Sequence, residues 1–257
     1  MIKADYMKRP LLIIILFFLV SQLSEAQLWK FKRYEVSGGI GPSIFSGDIG
    51  GFSKGDNIIG LKDFSFKQTR FNANISAKYR ITQSVNARIS MSYGLLNATD
   101  ERGSNEGRVF EAKTTVFEPA LIGEYYFIKN KAENSYSFVS RGKKFKSMFT
   151  SLDFYAFGGI GGLSYSVKPN DKLESNPNGF TSGGYTTVIP AGLGTTLIFS
   201  PDLNFNFEIG YRYSFSDYLD GYTSQYSSAN DVYYFLNFSV TYKIKTGNNG
   251  LPSFRRK

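Results

Sequence analysis

From Phe71 to Ile81 every second residue is apolar. Phe71, Ala73, Ile75, Ala77, Tyr79 and Ile81 alternate with Asn72, Asn74, Ser76, Lys78 and Arg80. Successive side chains on a β-strand point to opposite faces, so this segment presents one apolar and one polar face. After a tight Thr82-Gln83 turn the pattern repeats: Val85, Ala87, Ile89, Met91, Tyr93 and Leu95 alternate with Asn86, Arg88, Ser90, Ser92 and Gly94. Two further runs near the C-terminus, 203–213 and 232–244, behave the same way. Four weaker segments, Tyr34–Phe45, Val116–Ile128, Leu152–Val167 and Tyr185–Phe199, complete a set of eight strands. Leu152–Val167 and Tyr185–Phe199 are apolar on both faces and rich in glycine, which allows sharp curvature.

Eight strands of about ten residues, joined in sequence, predict an all-β fold, an eight-stranded antiparallel barrel. The alternation admits two readings. A soluble barrel points its apolar face inward, whereas a transmembrane barrel points it outward to lipid. Strand length matches the roughly 9–11 tilted residues needed to cross a bilayer. Tyr and Phe gather near strand ends, as interfacial girdles do. The polar faces carry Asn, Ser and opposite charges, which suits an interior. The sequence therefore predicts a transmembrane β-barrel with a polar interior.

The ends of the chain are read apart from the barrel. Lys8 and Arg9 precede ten consecutive apolar residues, Leu11 to Val20, and Ser24-Glu25-Ala26 supplies small residues for cleavage. Residues 1–26 thus read as a secretory signal peptide, too short in its apolar run to span a bilayer. The barrel is expected over 27–245 and a basic, disordered tail over 246–257. Export through that signal, followed by a barrel, predicts the Gram-negative outer membrane, with outer-membrane lipid as the immediate environment.

Composition removes several chemistries. Cysteine and histidine are both absent, which excludes disulfide staples, Ser-His and Cys-His nucleophilic machinery, and histidine-ligated metal sites. No catalytic, metal-binding or cofactor-binding pattern stands out, so a non-enzymatic protein with no cofactor is expected. Asp217, Asp220 and Asp231 could be imagined around Ca²⁺, but no calcium-loop motif accompanies them.

Charge is the more informative property. The chain carries 30 basic and 21 acidic residues. Six charges, Lys78, Arg88, Glu118, Glu124, Glu208 and Arg212, fall on the predicted inner face and are expected to form a salt-bridge network, since buried charges need partners. A second group lies on segments expected in the periplasm: Lys129, Lys131, Arg141, Lys143, Lys144 and Lys146 on one long connection, and Arg255 and Arg256 on the tail. That basic face reads either as a contact for anionic headgroups or as a docking surface for an acidic periplasmic protein. Nucleic acid is a poor partner for an exported chain.

Two stretches go further. Gly210 to Asp220, containing Asp217-Tyr218-Leu219-Asp220, followed by Tyr233-Tyr234-Phe235-Leu236-Asn237, resembles the C-terminal hairpin of a small outer-membrane barrel family of Bacteroidetes. Tyr34-Glu35-Val36-Ser37-Gly38-Gly39 with Phe45-Ser46-Gly47-Asp48-Ile49 is similar to that family's first strand and loop. The family includes the PorG-like component of the type IX secretion system. The resemblance implies a scaffold or accessory role in protein secretion, with Gly47, Asp48, Asp217, Tyr218, Leu219 and Asp220 as family-like positions. A narrow passive pore and a surface adhesin or lipid-binding barrel are the alternatives.

Overall fold

The computed structural model describes residues 28–51, 66–101, 106–129, 152–176, 180–223, 230–247 and 249–253. The expected signal peptide lies outside the described residues. So do Lys131, Arg141, Lys143, Lys144 and Lys146 of the basic connection, and Arg255 and Arg256 of the tail.

Eight strands form a closed antiparallel barrel: β1 (Tyr34–Ser46), β2 (Arg70–Arg80), β3 (Val85–Thr99), β4 (Glu111–Ile128), β5 (Leu152–Pro169), β6 (Gly183–Ile198), β7 (Leu203–Ser214) and β8 (Val232–Thr246). Each pairs with its sequence neighbours, and β1 pairs with β8 to close the ring. Closure leaves no unpaired edge, the condition for placing backbone in lipid. Both β1 and β8 have their chain-terminal ends at one rim, here called the terminal end. The turns Ile81–Ser84 and Phe199–Asp202 close hairpins at that end. The other rim, the loop end, carries the longer connections.

The apolar faces point outward. Ile75, Ile89, Leu121, Ile160, Leu193 and Phe238 are each about 60 % exposed. Soluble monomers rarely expose contiguous apolar patches above a few hundred Å², and here the patch encircles the molecule. On β4 the band runs from Phe127 to Phe117. Ten residues at about 3.4 Å each, tilted by about 40°, give a height of about 25 Å, the thickness of a transmembrane barrel's apolar band. Tyr34, Tyr79, Tyr125 and Tyr242 mark its lower margin and Tyr93, Tyr185 and Tyr213 its upper one. The protein is a transmembrane β-barrel. No described helix is long and apolar enough to cross a membrane; the strands make the crossing.

Strands β3, β4 and β5 run longer than the alternation predicts, to Thr99, from Glu111 and to Pro169. Leu96–Thr99 and Glu111–Thr115, which lie between the two runs read from the sequence, are therefore strand. The reason lies inside the barrel. Leu96, Ala98, Ala112, Val116, Leu163 and Val167 turn inward onto a hydrophobic core at the loop end, so the ladder continues beyond the membrane where a water-filled lumen would not support it. The interior is mainly polar through its middle and terminal end, around a small apolar cluster of Ala120, Ile122, Tyr126, Tyr155 and Phe157, and mainly apolar at the loop end.

The tail also differs from expectation. Thr246 ends β8, and a two-residue strand β9 (Pro252–Ser253) turns back to pair with Lys245 and Thr246. Gly250 takes a left-handed φ of 77° in this turn, and its carbonyl accepts a hydrogen bond from the Tyr34 hydroxyl at 3.0 Å. The tail thus begins as a hairpin tied to β1, not as a disordered segment. The Gly-Asn-Asn-Gly sequence that suggested disorder is also a turn signal.

Candidate functional site

The lumen is filled by side chains, as expected of a ring this narrow. Strands β2, β3, β4 and β7 send Lys78, Arg88, Glu124 and Glu208 to one level. Lys78 Nζ lies 2.9 Å from Glu124 Oε1, and Arg88 Nε lies 3.2 Å from the same oxygen. Arg88 Nη1 also donates to Glu208 Oε1, which accepts a second hydrogen bond from the Tyr155 hydroxyl at 2.5 Å. Asn86 donates to the other oxygen of Glu124 at 3.1 Å. The two cations stack over aromatic faces, Lys78 over Tyr155 and Arg88 over Phe157. Gly194 makes room for Tyr155: a Cβ there would sit 2.3 Å from the ring.

A second level lies nearer the loop end. Glu118 Oε2 accepts a hydrogen bond from the Tyr233 hydroxyl at 2.6 Å, and Arg212 Nε stands 3.7 Å away. The Arg212 guanidinium lies over the Phe235 ring, 4.6 Å from its centre. The two levels together contain three cations and three carboxylates, all buried. Charge therefore balances across the lumen, which is the condition for burying it.

Above these levels the loops fold into the barrel mouth. Leu219, wholly buried, packs among Phe45, Val116, Leu163, Val188 and Phe235. Its carbonyl accepts from Thr114 Oγ1 at 2.6 Å. Asp220 Oδ2 accepts from the Ile49 amide at 2.9 Å, and its Oδ1 from the Tyr222 amide at 3.0 Å. Asp231 accepts from the Leu219 amide at 2.7 Å. Burial pushes the Asp220 carboxyl up to about 7, against the lowering effect of its two backbone donors. Burial raises Asp231 as well, helped by the nearby charges of Asp220 and Asp217.

An Arg-Asp fork completes this cap. Arg108 Nε and Nη2 contact the two oxygens of Asp100 at 2.7 and 3.0 Å. Arg108 also donates to the Asp48 carbonyl, and its guanidinium stacks on Phe110 and Tyr222. Asp100 in turn accepts from the amides of Gly50 and Phe110. Val109, between the fork and Phe110, holds a φ of 57°. That is costly for a β-branched residue, and the flanking contacts of Arg108 and Phe110 hold it there.

No protein family and no curated protein sequence matches the chain. Solved structures do resemble it. Neisserial surface protein A is 14 % identical, covering 82 % of this chain and 96 % of that one, with a TM-score of 0.45. Ail, the attachment invasion locus protein of Yersinia pestis, is 11 % identical over 82 % and 98 %, with a TM-score of 0.43. A major outer membrane protein from Thermus thermophilus is 12 % identical over the same shares, at 0.44. At these values the likeness adds nothing to the strand order already described.

The structure brings all six predicted interior charges, Lys78, Arg88, Glu118, Glu124, Glu208 and Arg212, into the lumen. It also gathers the family-like positions from the two ends of the chain. Closure of β1 on β8 sets the loop after β1 beside the loop after β7. Asp220 then reaches Ile49, next to Asp48, and a Cβ on Gly47 would lie 2.6 Å from Asp231 Oδ1. Asp217 accepts from Thr223, Leu219 is core, and Tyr218 stays partly exposed. Lys129, the described residue of the basic connection, lies at the terminal end, where it donates to the Gln83 carbonyl and faces the Tyr126 ring. Sequence reasoning singles out neither Arg108 nor Asp100, and weighs Asp231 only as a calcium ligand lacking a loop motif. Both acids are in fact buried, and no spacing in the sequence signals it.

Proposed function

We propose that this protein is a non-enzymatic outer-membrane barrel that serves as a scaffold or accessory component of an envelope complex, of the kind found in type IX protein secretion. In this reading the terminal end faces the periplasm, as short turns and both termini do in bacterial barrels. The observation that carries the proposal is a charge separation along the barrel axis, around a lumen that is itself neutral. Among the described residues, the terminal end holds Lys30, Lys32, Arg33, Arg80, Lys129, Lys243 and Lys245 against Glu35, Asp153 and Asp202. At the loop end the balance reverses: ten acids, from Asp48 to Asp231, face six cations. The connection that leaves and re-enters at the terminal end adds five further cations and one acid.

A basic periplasmic face steers and docks an acidic protein partner. Attraction to headgroups alone would not require a connection of more than twenty residues where barrels of this size use tight turns. The filled lumen supports the same reading, because it leaves the ends of the barrel to carry the function. The resemblance of Asp217-Tyr218-Leu219-Asp220 and Gly47-Asp48 to the PorG-like family points to secretion as the setting.

The test is affinity capture from crosslinked, gently solubilised outer membranes. The intact chain is expected to retain a specific acidic periplasmic protein, and a K143E/K144E/K146E variant of equal abundance to lose it. An identical partner list from both, or none from either, contradicts the proposal.

A further inference from the structure

Two lysines face outward at the loop end, directly across a strand pair from each other. In the β4–β5 register Lys113 is opposite Lys168. Both lie on the outward face, two rows beyond the aromatic margin of the apolar band, where Phe117 is opposite Ser164 and Ser164 is opposite Tyr185. The row between them pairs Thr115 with Ser166. Moving away from the membrane centre, the wall therefore changes from aliphatic to aromatic to hydroxyl to lysine. Lys113 stands four residues past Phe117, about 10 Å above the band by the same rise and tilt.

Like charges directly opposite on one face of a sheet repel. Among the described residues Lys113 pairs with Glu111, an exposed contact at 3.3 Å, and contacts of that kind contribute little. Lys168 pairs with no acid among the described residues. The barrel thus carries two lysines at directly opposed positions at headgroup depth, with hydroxyls beneath them and one exposed carboxylate, Glu111, beside Lys113. Two cations over a hydroxyl row match a sugar that bears phosphate: phosphate oxygens bridge the ammoniums, and Thr115, Ser164 and Ser166 meet the sugar hydroxyls. Acyl chains below would lie along Phe117, Leu121, Ile160 and Tyr185.

We propose that this strip of β4, β5 and β6 binds the phosphorylated glycolipid of the outer leaflet through Lys113 and Lys168. The inference rests on the outer-membrane placement and orientation adopted above. It does not depend on the periplasmic partner.

The experiment uses the full barrel in nanodiscs of phosphatidylcholine doped with one of three lipids: bisphosphorylated lipid A, its dephosphorylated form, or phosphatidylglycerol. Binding of fluorescent lipid A and the thermal transition are both read. The native barrel is expected to enrich bisphosphorylated lipid A over the other two and to melt at higher temperature with it. Each lysine near a charged membrane surface contributes about five-fold, so K113Q/K168Q is expected to lose roughly thirty-fold in affinity. Its melting in pure phosphatidylcholine should match the native barrel, which separates lost binding from lost folding. Equal binding by native and variant barrels would overturn the proposal, as would equal enrichment of phosphatidylglycerol or of dephosphorylated lipid A. Failure of the native barrel to enter phosphatidylcholine discs at all would instead sink the membrane reading beneath it.

Discussion

Replacing Glu124 with alanine is expected to destabilise the barrel by about 3–5 kcal/mol, the cost of leaving a buried charge without its partner. Glu124 is the shared anion for Lys78 and Arg88, and it also accepts from Asn86. Its removal leaves Arg88 with Glu208 but strands Lys78, whose side chain is 2 % exposed. Because the cost comes from imbalance more than from the lost attraction, removing both charges should recover most of it. K78M/E124M keeps the lumen neutral and fills a similar volume. Urea titration in detergent, followed by the gel-mobility difference between folded and unfolded barrel, checks both. If K78M/E124M is as unstable as E124A, charge balance does not hold the lumen together.

The second large effect is a dependence on pH from the cap at the loop end. Asp220 and Asp231 are raised by burial, and the carboxylates facing them are Asp48 and Asp217. The cation of the same cap, Arg108, is committed to Asp100. An acid raised in the folded state keeps its proton there while the unfolded chain gives it up. The contribution of these two acids to stability is therefore greatest below about pH 4, the unfolded value for Asp. It falls as pH rises towards about 7, the folded value of Asp220, and levels off above it. Integrated over that window, Asp220 alone sets an upper limit of about 4 kcal/mol. Asp231 acts in the same direction. This is opposite in sign to a salt-bridged aspartate, which stabilises at high pH. Proteolysis of the loop end, or urea midpoints at pH 5, 6.5 and 8, should show a looser cap at higher pH. Asp220→Asn should flatten the profile. A midpoint that rises with pH in the native barrel would contradict the assignment.

How much of this the sequence discloses depends on what each strand faces. Strand β7 separates lipid from a polar lumen, so Leu203 to Tyr213 alternates strictly and its boundaries are legible to within a residue. Strand β5 does not alternate in this way, because Leu163, Tyr165 and Val167 point inward to apolar neighbours while Phe154 and Ile160 point outward to lipid. Both faces are apolar there, and the periodic signal that places a strand end disappears. The same core hides the true ends of β3 and β4. Interior charges are readable because parity alone assigns Lys78, Arg88 and Glu124 to the lumen. Which carboxylate meets which cation follows from register and barrel closure, and neither is written in local sequence.

The cap is the least legible part. Asp100 and Arg108 lie eight residues apart on a long connection, where such charges are ordinarily solvated. Their burial depends on Tyr222, Ile49 and Leu219 arriving from other loops. Only the family-like motifs hint that these loops matter, and motifs alone do not reveal that Asp220 bonds the backbone beside Asp48.

On the proposed function the barrel works at its ends and not through its lumen. Planar-bilayer recording of the purified, refolded barrel in concentrated potassium chloride decides between the two. The neutral ion-paired lumen beneath a packed cap predicts no unitary conductance steps at pH 5, below the value of about 7 to which burial raises Asp220. Stable, voltage-independent channel openings at that pH would contradict it and restore the pore as the function of this protein.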